Sequence, residues 1–264
     1  MVSVEVTAWE AAGAAGAAPS ARARRRELGA CLRAYRGLVA PASVGLPGGG
    51  RRRTRGLRRE ELASLAGVSL TWYTALEQGR VAASPHVLDA VGRVLRLDAV
   101  GRRHLRRLAA PEPPATAPPA DRLGALGSLL DSWPASPAAL LDHRLDVVAT
   151  NGAWARAWGD PTGYEPARRH VLWQLAGMPE AAALVQPVAR QFRMAADLHA
   201  GDQRIAEIGA LLRADHPALG SVWDCRGVGA FGRPTLDLAA GPATAHLLHP
   251  TGQSEIAILV AAAD

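Results

Sequence analysis

Several acidic and histidine side chains in the second half of the chain are of the types that perform acid–base chemistry. Asp142, His143 and Asp146 lie close together in the sequence, and a carboxylate beside a histidine is a pairing that general acid–base catalysis uses. Further candidates are His170, His199, His216 and the nucleophile Cys225. The patterns GxSxG, HExxH and the P-loop are absent, and no dinucleotide-binding GxGxxG stands in its required context. Because residues 142–144 also stand where a turn is needed, and turns favour such residues, we do not expect an enzyme.

A second group of side chains, around position 70, is of the type that reads DNA bases. Residues 58–79 predict two short helices joined by a tight turn, in which Gly67 ends the first helix and Ser69 caps the second. Tyr73 and Leu76 fall on the buried side of the second helix. Its other side carries uncharged residues that fit against base edges, namely Leu70, Thr71, Thr74 and Ala75, with Trp72 placed to pack on a sugar or a thymine methyl group.

Arginine surrounds this segment, and the chain contains no lysine. Residues 21–110 contain 19 arginines against 6 acidic residues, whereas residues 111–264 contain 11 against 16. Binding to a polyanion is therefore expected of the first part only, and its natural partner is nucleic acid. A Gly- and Pro-rich loop carries Arg51, Arg52, Arg53 and Arg55, which are predicted to hold DNA phosphates together with Arg58 and Arg80. The alternative is a solvated run of charge.

The elements that must position these side chains are helices. Residues 24–36 predict a first helix that braces the pair, and the first helix of the pair has an apolar stripe at Leu62, Leu65 and Ala66. Ser84 and Asp98 are predicted to cap a fourth and a fifth helix. The predicted organisation is a disordered tail at 1–21, an all-α domain at 22–110, a linker with five prolines at 111–120 and a second domain at 121–264.

The second domain is predicted to be α+β. Helical patterns occupy 123–130, 151–158, 171–175, 185–198 and 204–214, with Asn151 as a helix cap. Two short strands are predicted within 139–149, and three more at 235–238, 245–249 and 255–260. Strands before and after a helical middle imply a small antiparallel sheet covered by helices.

The helix pair resembles the lambda-repressor-like (Xre-type) helix-turn-helix domains in its order of small, aromatic and aliphatic residues, followed by Glu77-Gln78-Gly79. Over residues 45–109 it looks more specifically like the MmyB-like helix-turn-helix regulators of actinomycetes, through the runs Trp72-Tyr73-Thr74 and Leu76-Glu77-Gln78-Gly79-Arg80. The second half resembles the PAS-like ligand-binding domain of that family at residues 140–161, 171–175 and 202–223. It departs from the family at GVGAFGRP (227–234) and at His170, where the family more often has Asn.

The resemblance implies a one-component transcription regulator: a five-helix DNA-binding domain followed by a sensor for a small apolar or fatty-acid-like ligand. It implies double-stranded operator DNA as partner, bound by a homodimer. Large side chains among alanines and leucines could wall the ligand cavity, and the candidates are Leu141, Val148, Trp154, Trp158, Leu172, Trp173, Phe192 and Trp223. For any single tryptophan, a place in the core is the alternative.

No cofactor or metal is predicted, since Cys31 and Cys225 lie far apart and lack metal-ligand spacing. No apolar run is long enough to cross a bilayer and the N-terminus lacks a signal-peptide pattern, so we expect a cytoplasmic protein. The alternative function is a protein-interaction adaptor on a helix-turn-helix scaffold, with an enzyme less favoured.

Overall fold

The computed structural model describes residues 20–47, 56–110, 120–219, 227–250 and 256–263. Several predictions lie outside these residues: most of the tail and the linker, the loop arginines Arg51, Arg52, Arg53 and Arg55, the candidate nucleophile Cys225 and the pocket candidate Trp223. The first part of the chain is helical. Its helices are α1 (Ala21–Leu38), α2 (Arg59–Ala66), α3 (Leu70–Glu77), α4 (Pro85–Val94) and α5 (Ala99–Ala109).

Local signals in the sequence set where these helices begin. The Ser69 hydroxyl accepts the backbone N–H of Trp72 at 3.2 Å, and the Ser84 hydroxyl accepts that of Val87 at 3.4 Å. The Asp98 carboxylate accepts the backbone N–H of Gly101 at 2.7 Å. The predicted caps of α3, α4 and α5 are therefore confirmed, because each side chain satisfies a donor that its helix leaves open.

The core of the helical domain follows the predicted stripes, with one exception in α2. Leu62 and Ala63 are buried, whereas Leu65 is 42% exposed, so its predicted place in the apolar stripe was wrong. At 3.6 residues per turn, Leu65 lies roughly 110° around the helix from the direction midway between Leu62 and Ala63. The side of α2 that carries Leu62 and Ala63 faces the neighbouring helices, and Leu65 consequently faces away from the core.

The second part of the chain combines helices with one five-stranded sheet. Its helices are α6 (Ala120–Leu130), α7 (Gly152–Trp158), α8 (Val171–Ala176), α9 (Ala182–Leu198) and α10 (Gln203–Asp215). Its strands are β1 (Ala138–Asp142), β2 (Val147–Thr150), β3 (Thr235–Leu238), β4 (Gly241–Leu248) and β5 (Ile256–Ala263). The strand order is β2-β1-β5-β4-β3, and every pairing is antiparallel. The predicted α+β architecture is confirmed.

Both faces of the sheet are covered around β1. Ala139 and Leu141 point into a large cluster formed with the helices that follow β2, while Ala138 and Leu140 point into a smaller cluster that includes Leu130 of α6. This alternation is the two-residue period of a strand. The larger cluster forms the interior in which a ligand is expected.

Helix α9 connects the two parts of the molecule. It packs against α1 and α5 of the helical domain as well as against α8. Leu198, its last residue, belongs to the apolar cluster of the helical domain. Nearby, the Tyr35 hydroxyl donates to the Val228 carbonyl at 2.9 Å and accepts the Val228 N–H at 2.6 Å. The two domains are thus joined by apolar and polar contacts.

Candidate nucleic-acid interface and ligand pocket

A tight turn positions helix α3 against α2. Gly67 has φ 69° and ψ 32°, the left-handed conformation that favours glycine and ends a helix. Tyr73 and Leu76 of α3 are fully buried. The predicted helix-turn-helix geometry is therefore present, with one face of α3 held in the core and the other directed outward.

The buried carboxylate of Glu77 fastens the end of α3 to its neighbours. Glu77 accepts hydrogen bonds from Arg36 of α1 at 2.6 Å and from Arg59 of α2 at 2.7 Å. Burial by itself raises the pKa of Glu77, but the hydrogen bonds from Arg36 and Arg59 lower the pKa by more, so the carboxylate stays charged. Helix α1 approaches closely because Gly29 lacks a side chain: a Cβ there would collide with the Glu77 carbonyl.

Sequence reasoning treated Glu77 only as part of a family pattern and missed this role. The available signal was its position four residues after Tyr73, which places a charged side chain on the buried face of α3. Its partners come from other helices and are not given by local spacing.

The predicted base-reading residues share the outward side of α3. Leu70 is 46% exposed, Thr71 is exposed, and Thr74 and Ala75 are partly exposed. Trp72 is half-buried and packs against the helical core. The outward face therefore combines hydroxyl and apolar groups, which suit base edges.

Two of the predicted phosphate ligands lie within the described residues, one at each end of the helix pair. Arg58 precedes α2 and Arg80 follows α3, and both are exposed. The Arg58 guanidinium stands 3.4 Å from the Glu60 carboxylate, in a solvent-exposed pair. Such a pair contributes little to stability, so Arg58 can exchange Glu60 for a phosphate at small cost.

In the second domain, most of the predicted pocket residues come together. Leu141, Trp154, Trp158, Leu172 and Phe192 are buried in one cluster. The Trp154 and Trp158 rings meet edge to face, with centroids 4.6 Å apart.

The remaining two described candidates lie elsewhere. Trp173 packs at the edge of the cluster, and its indole N–H donates to the Asp215 carboxylate at 2.9 Å. Val148 packs on the opposite face of the sheet, against the cluster that includes Leu130. Its neighbour Val147 faces the larger cluster, and strand alternation then turns Val148 away. The structure thus does not bring Val148 together with the other candidates.

Buried polar atoms accompany this apolar cluster. The indole nitrogens of Trp154 and Trp158, Oε1 of Gln174 and Nδ1 of His170 are buried without a hydrogen-bond partner among the described residues. Gln174 also donates to the Trp158 carbonyl at 2.9 Å, and the His170 ring meets that of Phe192 with centroids 4.6 Å apart. Buried polar groups without partners are rare in proteins, and they are found where a ligand or water completes them. Gln174 was not among the sequence-predicted pocket residues.

Three of the side chains considered for catalysis, those of Asp142, Asp146 and His170, stabilise a turn and its surroundings. The Asp142 carboxylate accepts the backbone N–H groups of Arg144 and Asp146, each at 2.8 Å. Asp146 pairs with Arg204 at 2.7 Å. His170 bonds to the Arg144 carbonyl at 2.9 Å, and burial lowers the pKa of His170 to about 4. These contacts agree with the interpretation of residues 142–144 as a turn.

Two family models match the chain. Residues 27–105 match a helix-turn-helix domain, and residues 124–253 match the MmyB-like transcription regulator ligand binding domain. No curated protein matches the chain significantly. Both matched families are regulator domains and not enzymes. In the described part of the chain, no helix combines the length and the hydrophobicity that a membrane span requires. The chain thus carries a helix-turn-helix domain followed by an MmyB-like ligand-binding domain, and this combination is consistent with an MmyB-like helix-turn-helix transcription regulator.

Proposed function

We propose that this regulator recognises a specific operator through the outward face of α3. Leu70, Thr71, Thr74 and Ala75 contact base edges, and Trp72 packs on sugar or a thymine methyl group. Arg51, Arg52, Arg53, Arg55, Arg58 and Arg80 hold phosphates on both sides of the groove. The observation that supports this most directly is the fixed orientation of α3: Tyr73, Leu76 and the Glu77 carboxylate lock one face, while Leu70 and Thr71 stand exposed on the other.

The protein acts as a homodimer on a two-fold operator. Helix-turn-helix proteins place two recognition helices in successive major grooves on one side of the duplex, one helical turn apart. One copy of α3 reads only a few base pairs, so a second copy is needed for useful specificity. Since chromosomal DNA is the partner, the cytoplasm is the place of action.

A small apolar or fatty-acid-like molecule occupies the second domain. The apolar walls are Leu141, Trp154, Trp158, Leu172 and Phe192, with Trp173 at the edge. The unpartnered indole N–H groups of Trp154 and Trp158 are hydrogen-bond donors, so they favour a ligand that carries an acceptor such as a carbonyl or carboxylate oxygen.

Helix α9 couples the ligand to DNA. Phe192 lies in the apolar cluster that we propose binds the ligand, whereas the next residue, Arg193, stands 3.7 Å from the Glu27 carboxylate of α1. A ligand that displaces Phe192 therefore also shifts the part of α9 that contacts the helical domain. The two domains then have two relative arrangements that differ in operator affinity. The ligand changes operator affinity only to the extent that it binds one arrangement more tightly than the other.

The test is a salt-dependent titration of the full chain against its own upstream intergenic DNA and a scrambled duplex, after native mass spectrometry of the same sample. Tight, sequence-preferring and salt-sensitive binding is expected, and a co-purified small mass would identify the ligand class. Equal affinity for both duplexes at every salt concentration would refute sequence recognition and leave the helical domain as the scaffold of a protein-interaction adaptor.

The ligand half of the proposal is tested separately with a fluorescent fatty acid. Trp154→Phe keeps an aromatic ring but removes the N–H donor, so it should weaken binding of the probe. Because Trp154 is fully buried, the smaller ring should also lower the free energy of unfolding. Trp133→Phe is the matched control, because Trp133 packs with the cluster on the other face of the sheet. Equal effects of the two substitutions would place the probe elsewhere.

A further inference from the structure

Three side chains of metal-binding types meet at the junction of the two domains. Cys31 comes from α1, His104 from α5 and Asp197 from α9, and all three are fully buried. Cys31 is not in a disulfide. No local sequence pattern predicts this cluster, because its members are separated by 73 and 93 positions along the chain. They come together only when the two domains pack.

The ligand atoms of this cluster are close enough to share one ion. The Cys31 sulfur, a ring nitrogen of His104 and a carboxylate oxygen of Asp197 all lie within 4.8 Å of one another. The His104 Nε2 and Asp197 Oδ2 atoms are 3.2 Å apart. Zinc binds sulfur at about 2.3 Å and nitrogen or oxygen at about 2.0–2.2 Å, so ligand atoms around one ion stand roughly 3–4 Å apart. Small side-chain movements would close the present cluster around a metal.

The surroundings balance the charge that such an ion would bring. Arg193 bonds to Oδ1 of Asp197, which leaves Oδ2 directed towards His104. The Glu27 carboxylate lies 3.7 Å from the same guanidinium. A thiolate at Cys31 and the two carboxylates then offset a divalent ion together with Arg193, and the buried cluster is neutral. Without such a balance, burying the ion would be costly.

One polar atom of the cluster also lacks a contact. His104 is fully buried, and its Nδ1 has no partner in the described part of the chain. An imidazole can present either ring nitrogen to a metal, and a metal-bound water completes the coordination where protein ligands number three. Nδ1 of His104 is therefore open to a metal ion or to a metal-bound water.

We propose that Cys31, His104 and Asp197 form a binding site for a divalent ion of the Zn²⁺ or Co²⁺ type at the domain junction. A set of one sulfur, one nitrogen and one oxygen suits such ions, whereas Mg²⁺ and Ca²⁺ require mostly oxygen ligands. The bound ion joins α1 and α5 of the DNA-binding domain to α9 of the ligand-binding domain. Metal occupancy therefore fixes the position of one domain on the other.

The test is a Co²⁺ titration of the chelator-treated, reduced full chain, followed by absorption spectroscopy. Binding of one Co²⁺ per chain should produce the near-ultraviolet charge-transfer band of a cobalt thiolate, together with visible ligand-field bands. Zn²⁺ should displace Co²⁺, and Mg²⁺ should not. Absence of the thiolate band at every Co²⁺ concentration would overturn the proposal and leave the cluster as a hydrogen-bonded contact between the domains.

The two cysteines provide a matched pair of variants. Cys31→Ser should abolish the thiolate band, and Cys225→Ser should retain it; the reverse result would refute the site. If Cys31→Ser does not fold, Asp197→Asn serves instead, because it preserves the shape of the side chain. Loss of an outer partner of a metal ligand already costs about 10–100-fold in affinity, so loss of the ligand charge should weaken Co²⁺ binding by at least about 100-fold. Unchanged affinity of the Asp197→Asn protein would exclude Asp197 from the site.

Discussion

Replacing Glu77 by Gln should loosen the recognition helix and destabilise the helical domain. The Glu77 side chain is fully buried, whereas the side chains of its partners Arg36 and Arg59 are 14% and 41% exposed. Gln offers one acceptor and one donor where two acceptors are needed, so one guanidinium loses its partner. Arg36 suffers more than Arg59, because water replaces the lost contact less easily at the less exposed side chain.

The size of the effect follows from this difference in exposure. Removing one partner of a buried ion pair costs about 3–5 kcal/mol, whereas exposed pairs contribute about 0–1 kcal/mol. Since one partner is nearly buried and the other half-exposed, Glu77→Gln should lower the free energy of unfolding by about 2–4 kcal/mol. Urea unfolding of the full chain, followed by far-ultraviolet circular dichroism, measures this change.

Glu60→Gln is the matched control, because the side chain of Glu60, in α2, is 61% exposed and pairs with Arg58, which is also exposed. It makes the same change of charge and should cost less than about 1 kcal/mol. Because the pKa of Glu77 is lowered in the folded state, its contribution is present above the pKa of the unfolded chain and is lost as the pH falls through the folded pKa. The difference between wild type and Glu77→Gln should therefore shrink in acid. Equal losses for the two variants at neutral pH would refute the role assigned to the Glu77 cluster.

Three further predictions concern DNA readout and pH. Replacing Arg51 to Arg53 by alanine should weaken binding to all DNA alike and reduce the salt slope by up to about three units, one for each phosphate contact; an unchanged slope in a filter-binding titration would exclude the loop from the interface. Thr71→Val should lower the preference for operator over random DNA by about 1–3 kcal/mol, and equal losses on both duplexes would remove Thr71 from direct readout. Burial holds the pKa of His170 at about 4, below its ordinary value near 6.5, so the unfolded chain binds the proton first and stability falls as the pH drops through this window, by at most about 3 kcal/mol. His170→Asn should flatten that part of the curve in acid unfolding, and an identical slope would show that other groups determine it.

The sequence predicted best those features that depend on near neighbours. The caps at Ser69, Ser84 and Asp98 and the turn at Gly67 were correct because each is decided within four residues. The strands flanking the turn after Asp142 were found for the same reason. Leu65 was placed wrongly because the direction of the core around a two-turn helix is set by its neighbours in space.

Distant contacts explain what the sequence could not give. Val147 and Val148 are equally apolar, and both sheet faces are covered near β1, so the pattern cannot tell which valine faces the larger apolar cluster. Arg36 lies 41 residues from Glu77 along the chain, and His104 lies 93 residues from Asp197. Such polar contacts require the packed helices before they can be recognised.

The sharing of α9 between two apolar clusters has a consequence for the modularity of this protein. Phe192 belongs to one cluster and Leu198 to the other, so a fragment starting after the proline-rich segment would expose Leu198 and separate Asp197 from His104. The amino-acid composition marks a domain boundary at the proline-rich segment, but the two halves on either side of it are therefore not independently stable. An exchange of ligand-binding domains between related regulators would succeed only if the incoming helix brought side chains that fit Tyr35 and His104, and the two halves must consequently evolve together.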